Sequence, residues 1–399
     1  MQSIERQAIE LGIIVAGPLD SADRRAVDGA ISEVRRQLNQ WLAEFDWQFQ
    51  QVRRDEWTDK SRMEPTDLLQ QAREERDEKG WDFAFVLTAV DLVSHYKPFA
   101  LGIISRTLDV AVISTARIDP RAKHPNTQEE DRTEVMRECV LRLMLHTLGH
   151  WLGLGHDSDP NNTMHDIDSV DDLQGNLEFS SKQLAAMHEA LQTIADQRLE
   201  ERTDLQATWS FRFALLAAWE NRFEILDAVT QAKPWEFPTR LSRLTTAAVS
   251  AVVVLLMTAE TWDMAMSQSW LQVTGLFLFA LITTTGYVAT RQQLLIRRSG
   301  RAISEQIVAS NVSASAIVAS GMLVTFLILA LLTLAAAVLL FPSAVVHGWA
   351  ASAEKPITAY QYFLLAGTVG SLGIMIGALG ASFEQQSHFR HVVFVDEEV

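Results

Sequence analysis

Residues 146–156 read HTLGHWLGLGH, placing His146 and His150 four positions apart and His156 six further on. Positions four apart share one face of an α-helix, so two imidazoles can address a single ion. Gly153 lets the chain leave that helix sharply, because a residue without Cβ tolerates left-handed dihedrals, and Gly155 is expected to keep the turn compact. His156 then returns as a third ligand. Three nitrogen ligands with the fourth position open describe a catalytic zinc centre, whereas structural centres are closed by four protein ligands.

The spacing is similar to the metzincin signature H-E-x-x-H-x-x-G-x-x-H, matched at every position but the second, where Thr147 stands in place of glutamate. Met164, eight residues past the third histidine and after a Pro160-Asn161-Asn162 turn, resembles the methionine loop that underlies the ligands in that clan. Among metzincins the resemblance is nearest to the archaemetzincins, which place the methionine at this distance. It covers roughly residues 8–195, including the strand-like Val110–Arg117, and is specific only from His146 to Met164. It implies zinc as cofactor, His146, His150 and His156 as ligands, and a mixed sheet packed on the zinc-binding helix. Archaemetzincins also carry two cysteines where this chain has Asp157 and Asn162, so the second metal site those cysteines imply is not expected here.

In a zinc peptidase the ion acidifies its water and polarises the scissile carbonyl, while a carboxylate beside the first histidine moves the proton. Thr147 cannot replace it. A hydroxyl is too weak a base at neutral pH, and a positioned general base contributes a factor of roughly 100 to 10,000. Asp166, two residues after Met164, is a candidate substitute base. Asp157 is a candidate to hydrogen-bond backbone or a ligand histidine from behind.

Composition divides the chain. Residues 1–239 hold 26 of the 34 Lys and Arg and 42 of the 50 Asp and Glu, so the formal charge of −16 lies in this half. An acidic domain without a basic stripe argues against nucleic acid as a partner. The stretch Leu11 to Pro18 is too short and wrongly flanked for a secretory signal, and one cysteine, Cys139, permits no intrachain disulfide. Cys139 reads as a small core residue. Strand patterns at Ile9–Ala16, Trp47–Arg53, Phe83–Leu87, Leu101–Ser105 and Val110–Thr115 alternate with helical patterns at Ala22–Phe45, Thr66–Lys79 and Arg132–Leu152. The fold class expected is therefore α/β. Two further helices are expected at Ser180–Glu200 and Leu205–Thr230.

After a stiff linker, Lys233 to Pro238, the chain turns apolar. Residues 264–290, 306–353 and 356–383 contain no Asp, Glu, Lys or Arg. A span needs about 20 mostly apolar residues, and four fit: Leu241–Thr261, Trp270–Thr290, Ala316–Phe341 and Thr358–Ala381. The segment Ile303–Ser315 is expected at the interface or as an extension of the third span. This gives a zinc domain over 1–200, an amphipathic helix and linker over 201–239, and a four-helix membrane domain with a short cytoplasmic tail over 240–399. Arg240, Arg243, Arg291, Arg297, Arg298 and Arg301 flank one side and only Lys355 the other, which places both termini and the zinc domain in the cytoplasm. Gly367, Gly370, Gly373, Gly377 and Gly380 recur at spacings of three and four, a stripe that lets another helix approach, in a homo-oligomer for instance.

Three functional classes are compatible with this: a membrane-tethered zinc peptidase acting on peptides or protein tails, a zinc-loaded pseudoprotease that binds a peptide or protein partner, and a transporter with an ancillary soluble domain. Uncharged spans disfavour the third.

Overall fold

The computed structural model describes residues 6–58, 60–122, 124–173, 178–194, 211–295, 305–353 and 357–399. Residues 195–210, the arginines 297, 298 and 301, and Lys355 lie outside them. Two compact units emerge: Met1–Thr208 with Ser304–Gln306 and Phe394–Val399, and Trp209–Ile303 with Ile307–Val393.

The first unit alternates β1 (Gln7–Ala16), α1 (Ser21–Trp41), β2 (Phe45–Arg54), β3 (Arg62–Met63), α2 (Pro65–Lys79), β4 (Phe83–Thr88), β5 (Asp91–Leu92), β6 (Gly102–Ser105), β7 (Val110–Ser114), α3 (Glu129–Trp151) and α4 (Ser181–Ile194). The main sheet runs β2-β1-β4-β7-β6-β8, where β8 is Glu397–Glu398. The first four strands of that order are parallel, and β6 is antiparallel to both its neighbours. The mixed α/β sheet expected from the sequence is thus present.

Local chemistry sets the boundaries. Asp20 caps α1, accepting from the Ala22 and Asp23 amides at 2.8 Å each, with Asp23 reaching back in a capping box. Pro65 opens α2 and Gly80, at φ 78°, closes it. Glu129, Glu130 and Asp131 sit in the first turn of α3, where the helix dipole favours negative charge. Phe83, Phe85 and Leu87 of β4 enter one core with α1 and α3, while α2 lies against β4 and β7. At the end of α3, Trp151 stacks on Phe83 with ring centroids 5.0 Å apart, and its Nε1 donates to the Ser105 carbonyl at 3.2 Å. This pins the zinc-helix terminus to the sheet.

The second unit is helical: α5 (Phe211–Glu220), α6 (Arg222–Gln231), α7 (Phe237–Arg240), α8 (Ser242–Leu256), α9 (Ala259–Met266), α10 (Trp270–Arg291), α11 (Glu305–Leu340), α12 (Ser343–Trp349), α13 (Ala359–Ala381) and α14 (Gln386–Phe394). Among the described residues, three helices, α10, α11 and α13, are long and apolar enough to cross a membrane. A fourth span exists only if Ile225–Arg240 and Ser242–Leu256, bent by 58°, count as one. The expected continuous span Leu241–Thr261 is instead broken. Thr258 takes an extended conformation ahead of α9, its hydroxyl donating to the Val254 and Leu255 carbonyls, and α8 alone, at about 1.5 Å per residue, falls short of a bilayer core. Ile303–Ser315 resolves in favour of extension, because from Glu305 onward it is continuous helix. Of the single helix expected over Leu205–Thr230, residues 205–210 lie outside the described residues, and from Phe211 on it is two helices with Asn221 between them. Outward faces carry Leu278, Phe279, Ile282, Leu327, Ile328 and Leu331, all exposed, a surface that suits lipid.

The glycine stripe is used within the chain. A Cβ on Gly377 would meet the Ala248 Cβ at 2.9 Å and the Leu244 carbonyl oxygen at 3.1 Å, and one on Gly380 the Arg243 carbonyl oxygen at 2.7 Å. The helix admitted by these two is α8 of the same chain, while Gly367 faces Val273 of α10 and Gly370 faces Phe326 of α11.

Candidate metal centre

The three histidines converge. Ring centroids are 4.5 Å apart for His146 and His150, 4.9 Å for His150 and His156, and 5.5 Å for His146 and His156. The turn that brings His156 back is a Schellman motif: the Leu154 amide donates to the Gly149 carbonyl at 2.9 Å, and the Gly153 amide to that of His150 at 3.0 Å. Gly153 sits at φ 85°, the left-handed conformation the sequence called for. Gly155 contributes no such freedom, since its surroundings are open and its φ is ordinary.

Two carbonyls orient the rings. His146 Nδ1 donates to the Thr163 oxygen at 2.9 Å, and His150 Nδ1 to the Leu154 oxygen at 3.1 Å. A carbonyl only accepts, so each Nδ1 carries the proton and each Nε2 of the neutral ring presents a lone pair. Those two Nε2 atoms lie 2.9 Å apart. Two acceptors at that distance need a proton or a cation between them. Burial, then the neighbouring His150, pushes His146 down to about 3, so it stays neutral and a proton is opposed there. The donor set fits zinc.

A fourth group completes the cluster. Glu397 places one carboxylate oxygen 3.0 Å from His150 Nε2 and the other 3.0 Å from His156 Nε2. Burial alone would raise its carboxyl, yet its contacts with these two rings leave it far below the usual range, so it is anionic; the His150 Nε2 lone pair and this carboxylate are then two acceptors that a cation between them would satisfy. The same contact raises His156. His146 is fully buried, while the side chains of His150, Glu397 and His156 are 12%, 19% and 37% exposed, so the cluster opens to solvent on the His156 side. The four donor atoms lie within 4.8 Å of one another.

The remaining sequence candidates fall around this core. Met164 is fully buried with its Sδ only 2.2 Å from where a Cβ on Gly149 would stand, so the methionine loop reaches the helix through a glycine beside His150. The loop is set by the Asn162 side chain, which accepts the Met164 amide at 2.8 Å. It is also clamped by Arg142, one turn before His146, whose guanidinium donates to the Pro160 and Asn162 carbonyls at 3.2 Å each. Thr147 is buried in α3. Asp157 braces the loop backbone, accepting from the Asp159 amide at 3.0 Å and, more weakly, from Gln183; its own amide donates to the Met164 carbonyl. Asp166 is exposed, near enough for its charge to help raise His156. Cys139 is buried, its thiol pushed up to about 12 chiefly by desolvation, which suits a core residue.

Sequence reasoning missed Glu397, Gly149 and Arg142. Gly149 lay within the motif already read. Arg142 had a weak signal, a charge one turn before a ligand on an apolar helix. Glu397 had none at short range.

An α/β unit thus gathers three histidines from a helix and its following turn, above a buried methionine loop, in a cluster that could hold a metal ion. No family model matches the chain. Over 93 residues it is 31% identical to an archaemetzincin of Thermococcus kodakarensis, a stretch that is 23% of this chain and 48% of that protein; the chain thus spans about half the length of the curated relative it matches. Among solved structures it is similar to the archaemetzincin of Methanopyrus kandleri, at 21% identity and a TM-score of 0.37 over 47% of this chain and 98% of that one. It is also similar to that of Archaeoglobus fulgidus complexed with malonate, at 18% and 0.34 over 45% and 99%. A zinc-dependent peptidase from Methanocorpusculum labreanum gives 16% and 0.34 over 44% and 99%.

Proposed function

We propose that the chain is a membrane-anchored, archaemetzincin-like zinc protein in which peptide-bond hydrolysis is weakened or lost. The observation that carries this reading is the pair of imidazole Nε2 atoms 2.9 Å apart, backed by carbonyl acceptors and joined by His156, on a helix whose next residue is Thr147. Zinc held there by His146, His150 and His156 supplies Lewis acidity toward a carbonyl or a water. The chain's own residues supply less. The Thr163 and Leu154 carbonyls fix the ligand tautomers, Gly153 and Met164 fix the loop, and Thr147 has no basicity to take a proton. A buried threonine in place of the base therefore favours binding of a peptide or protein over its cleavage.

A second reading, residual turnover, is favoured by Asp166, whose charge reaches His156. Thr147→Glu tests the first: it should create or raise peptidase activity by about 100-fold or more, the usual contribution of a positioned base, and no gain would mean that more than the lost base keeps the site inactive. Asp166→Asn tests the second. Loss of a native activity with zinc retained identifies Asp166 as the base; unchanged activity rules it out.

The anchor is α10, α11 and α13, with the bent α6–α8 region as a candidate fourth span. The arginines that flank these helices in the sequence support a zinc unit on the cytoplasmic side. In a Cys139→Ser background, Ser299→Cys should react with an impermeant maleimide only after the membrane is opened, and Ser352→Cys in intact cells. The reverse pattern would put the zinc unit outside.

A further inference from the structure

We propose that Glu397 is the fourth protein ligand of the metal, so that β8 closes the centre from within the chain. The proposal rests on the zinc reading above and adds a donor that the histidine motif does not contain. Its carboxylate bridges the Nε2 atoms of His150 and His156 at 3.0 Å each, the position from which an oxygen ligand joins three imidazoles around one ion.

The placement is held by every residue of the segment around it. β8 pairs antiparallel with β6, Glu397 opposite Ile104 and Glu398 opposite Ile103. The Asp396 amide donates to the Ile104 carbonyl at 3.0 Å, and the Asp396 carboxylate accepts the Arg106 amide. Glu398 is buried, its carboxylate gathering the amides of His95, Tyr96 and Lys97 at 2.8–3.0 Å and the Ser94 hydroxyl at 2.6 Å. Val399 enters the hydrophobic core, and its amide donates to the Gly102 carbonyl at 2.9 Å. Three consecutive acids thus do three different things: two lock the strand on loops either side of β6, and the one between them is presented to the histidines. A loosely lying acidic segment would not bury a carboxylate in a nest of amides.

Closure has a chemical consequence. Three histidines alone leave a coordination position for a water or a carbonyl, and a bound Glu397 removes it. With β8 also occupying the pairing edge of β6, an extended peptide finds neither the metal nor the strand edge free until this segment leaves.

The test uses the full chain in detergent, loaded with zinc or cobalt(II). Glu397→Gln keeps the side-chain shape and removes the anionic oxygen. Zinc affinity should fall on the order of 10–100-fold, the loss seen even for groups that only support a ligand. The cobalt absorption bands should shift, and acetohydroxamate, silent toward the wild type, should perturb them in the variant. Glu397→His, which offers nitrogen instead of oxygen, should restore a four-ligand spectrum insensitive to acetohydroxamate, and carries the test should Glu397→Gln fail to fold. Identical spectra for wild type and both variants, or a wild type as responsive to acetohydroxamate as Glu397→Gln, would remove Glu397 from coordination. A wild type that takes up neither zinc nor cobalt overturns the zinc reading itself.

Discussion

Glycine serves opposite ends in the two units. In the zinc unit it makes room for one side chain: a Cβ on Gly149 would collide with the Met164 sulfur, and one on Gly12 with the Trp81 ring at 1.9 Å. Where α13 meets α8 in the helical unit it makes room for a backbone, as Gly377 and Gly380 admit the carbonyls of Leu244 and Arg243. Water drives the first kind of packing, because burying Met164 and Trp81 removes apolar surface from it. Helices apolar enough to cross a membrane would lose that force among lipid chains, where close van der Waals approach takes its place. The same residue type therefore marks a fixed site at Gly149 and Gly12 and a helix seam at Gly377 and Gly380.

The widest separation of the two should come from removing the metal ligands. The variant carrying His146→Ala and His150→Ala should lose its zinc entirely by elemental analysis, against about one per chain in the wild type. Its zinc unit should unfold more easily, by about 4 kcal/mol where zinc is a thousandfold above its dissociation constant, while the helical unit melts unchanged. Equal zinc in both proteins would break the distinction. Gly380→Leu should do the converse, costing the helical unit about 3 kcal/mol because the obstacle is backbone that cannot swing aside, with zinc content untouched; an unchanged thermal midpoint would mean the seam is not a tight contact. The smallest effect expected is from Gly149→Ala, about 1–2 kcal/mol in denaturant unfolding of the zinc unit, since a methionine end can move where a carbonyl cannot. A loss larger than that of Gly380→Leu would reverse the ranking.

What the sequence made legible follows the range of the interactions. The histidine cluster is written within eleven residues, and the Schellman turn at Gly153 needs only its neighbours. The buried strands β4, β6 and β7 and the long apolar helices were readable from composition. The break at Thr258 was not, because the chain turns extended there without a glycine or proline to mark it. The partner of the glycine stripe was invisible for a different reason, since spacing shows that a helix can approach but not which one. Glu397 was assigned with the membrane domain, 241 positions beyond His156. Only the pairing of β8 with β6 carries it to the histidines.

The strand that bears Glu397 also sets the terms on which anything else can reach the site. A carboxylate tethered to its own binding site acts at an effective concentration on the order of millimolar or higher. Free acetate or a stray acidic peptide at micromolar levels is therefore outcompeted by mass action alone, whatever its intrinsic preference for the metal. A successful competitor must match several contacts of the segment at once: a backbone that pairs with β6, an oxygen at the position of Glu397, and a second anion for the amides of residues 95–97. Selectivity at this centre would then be a property of the occupant to be displaced as much as of the pocket.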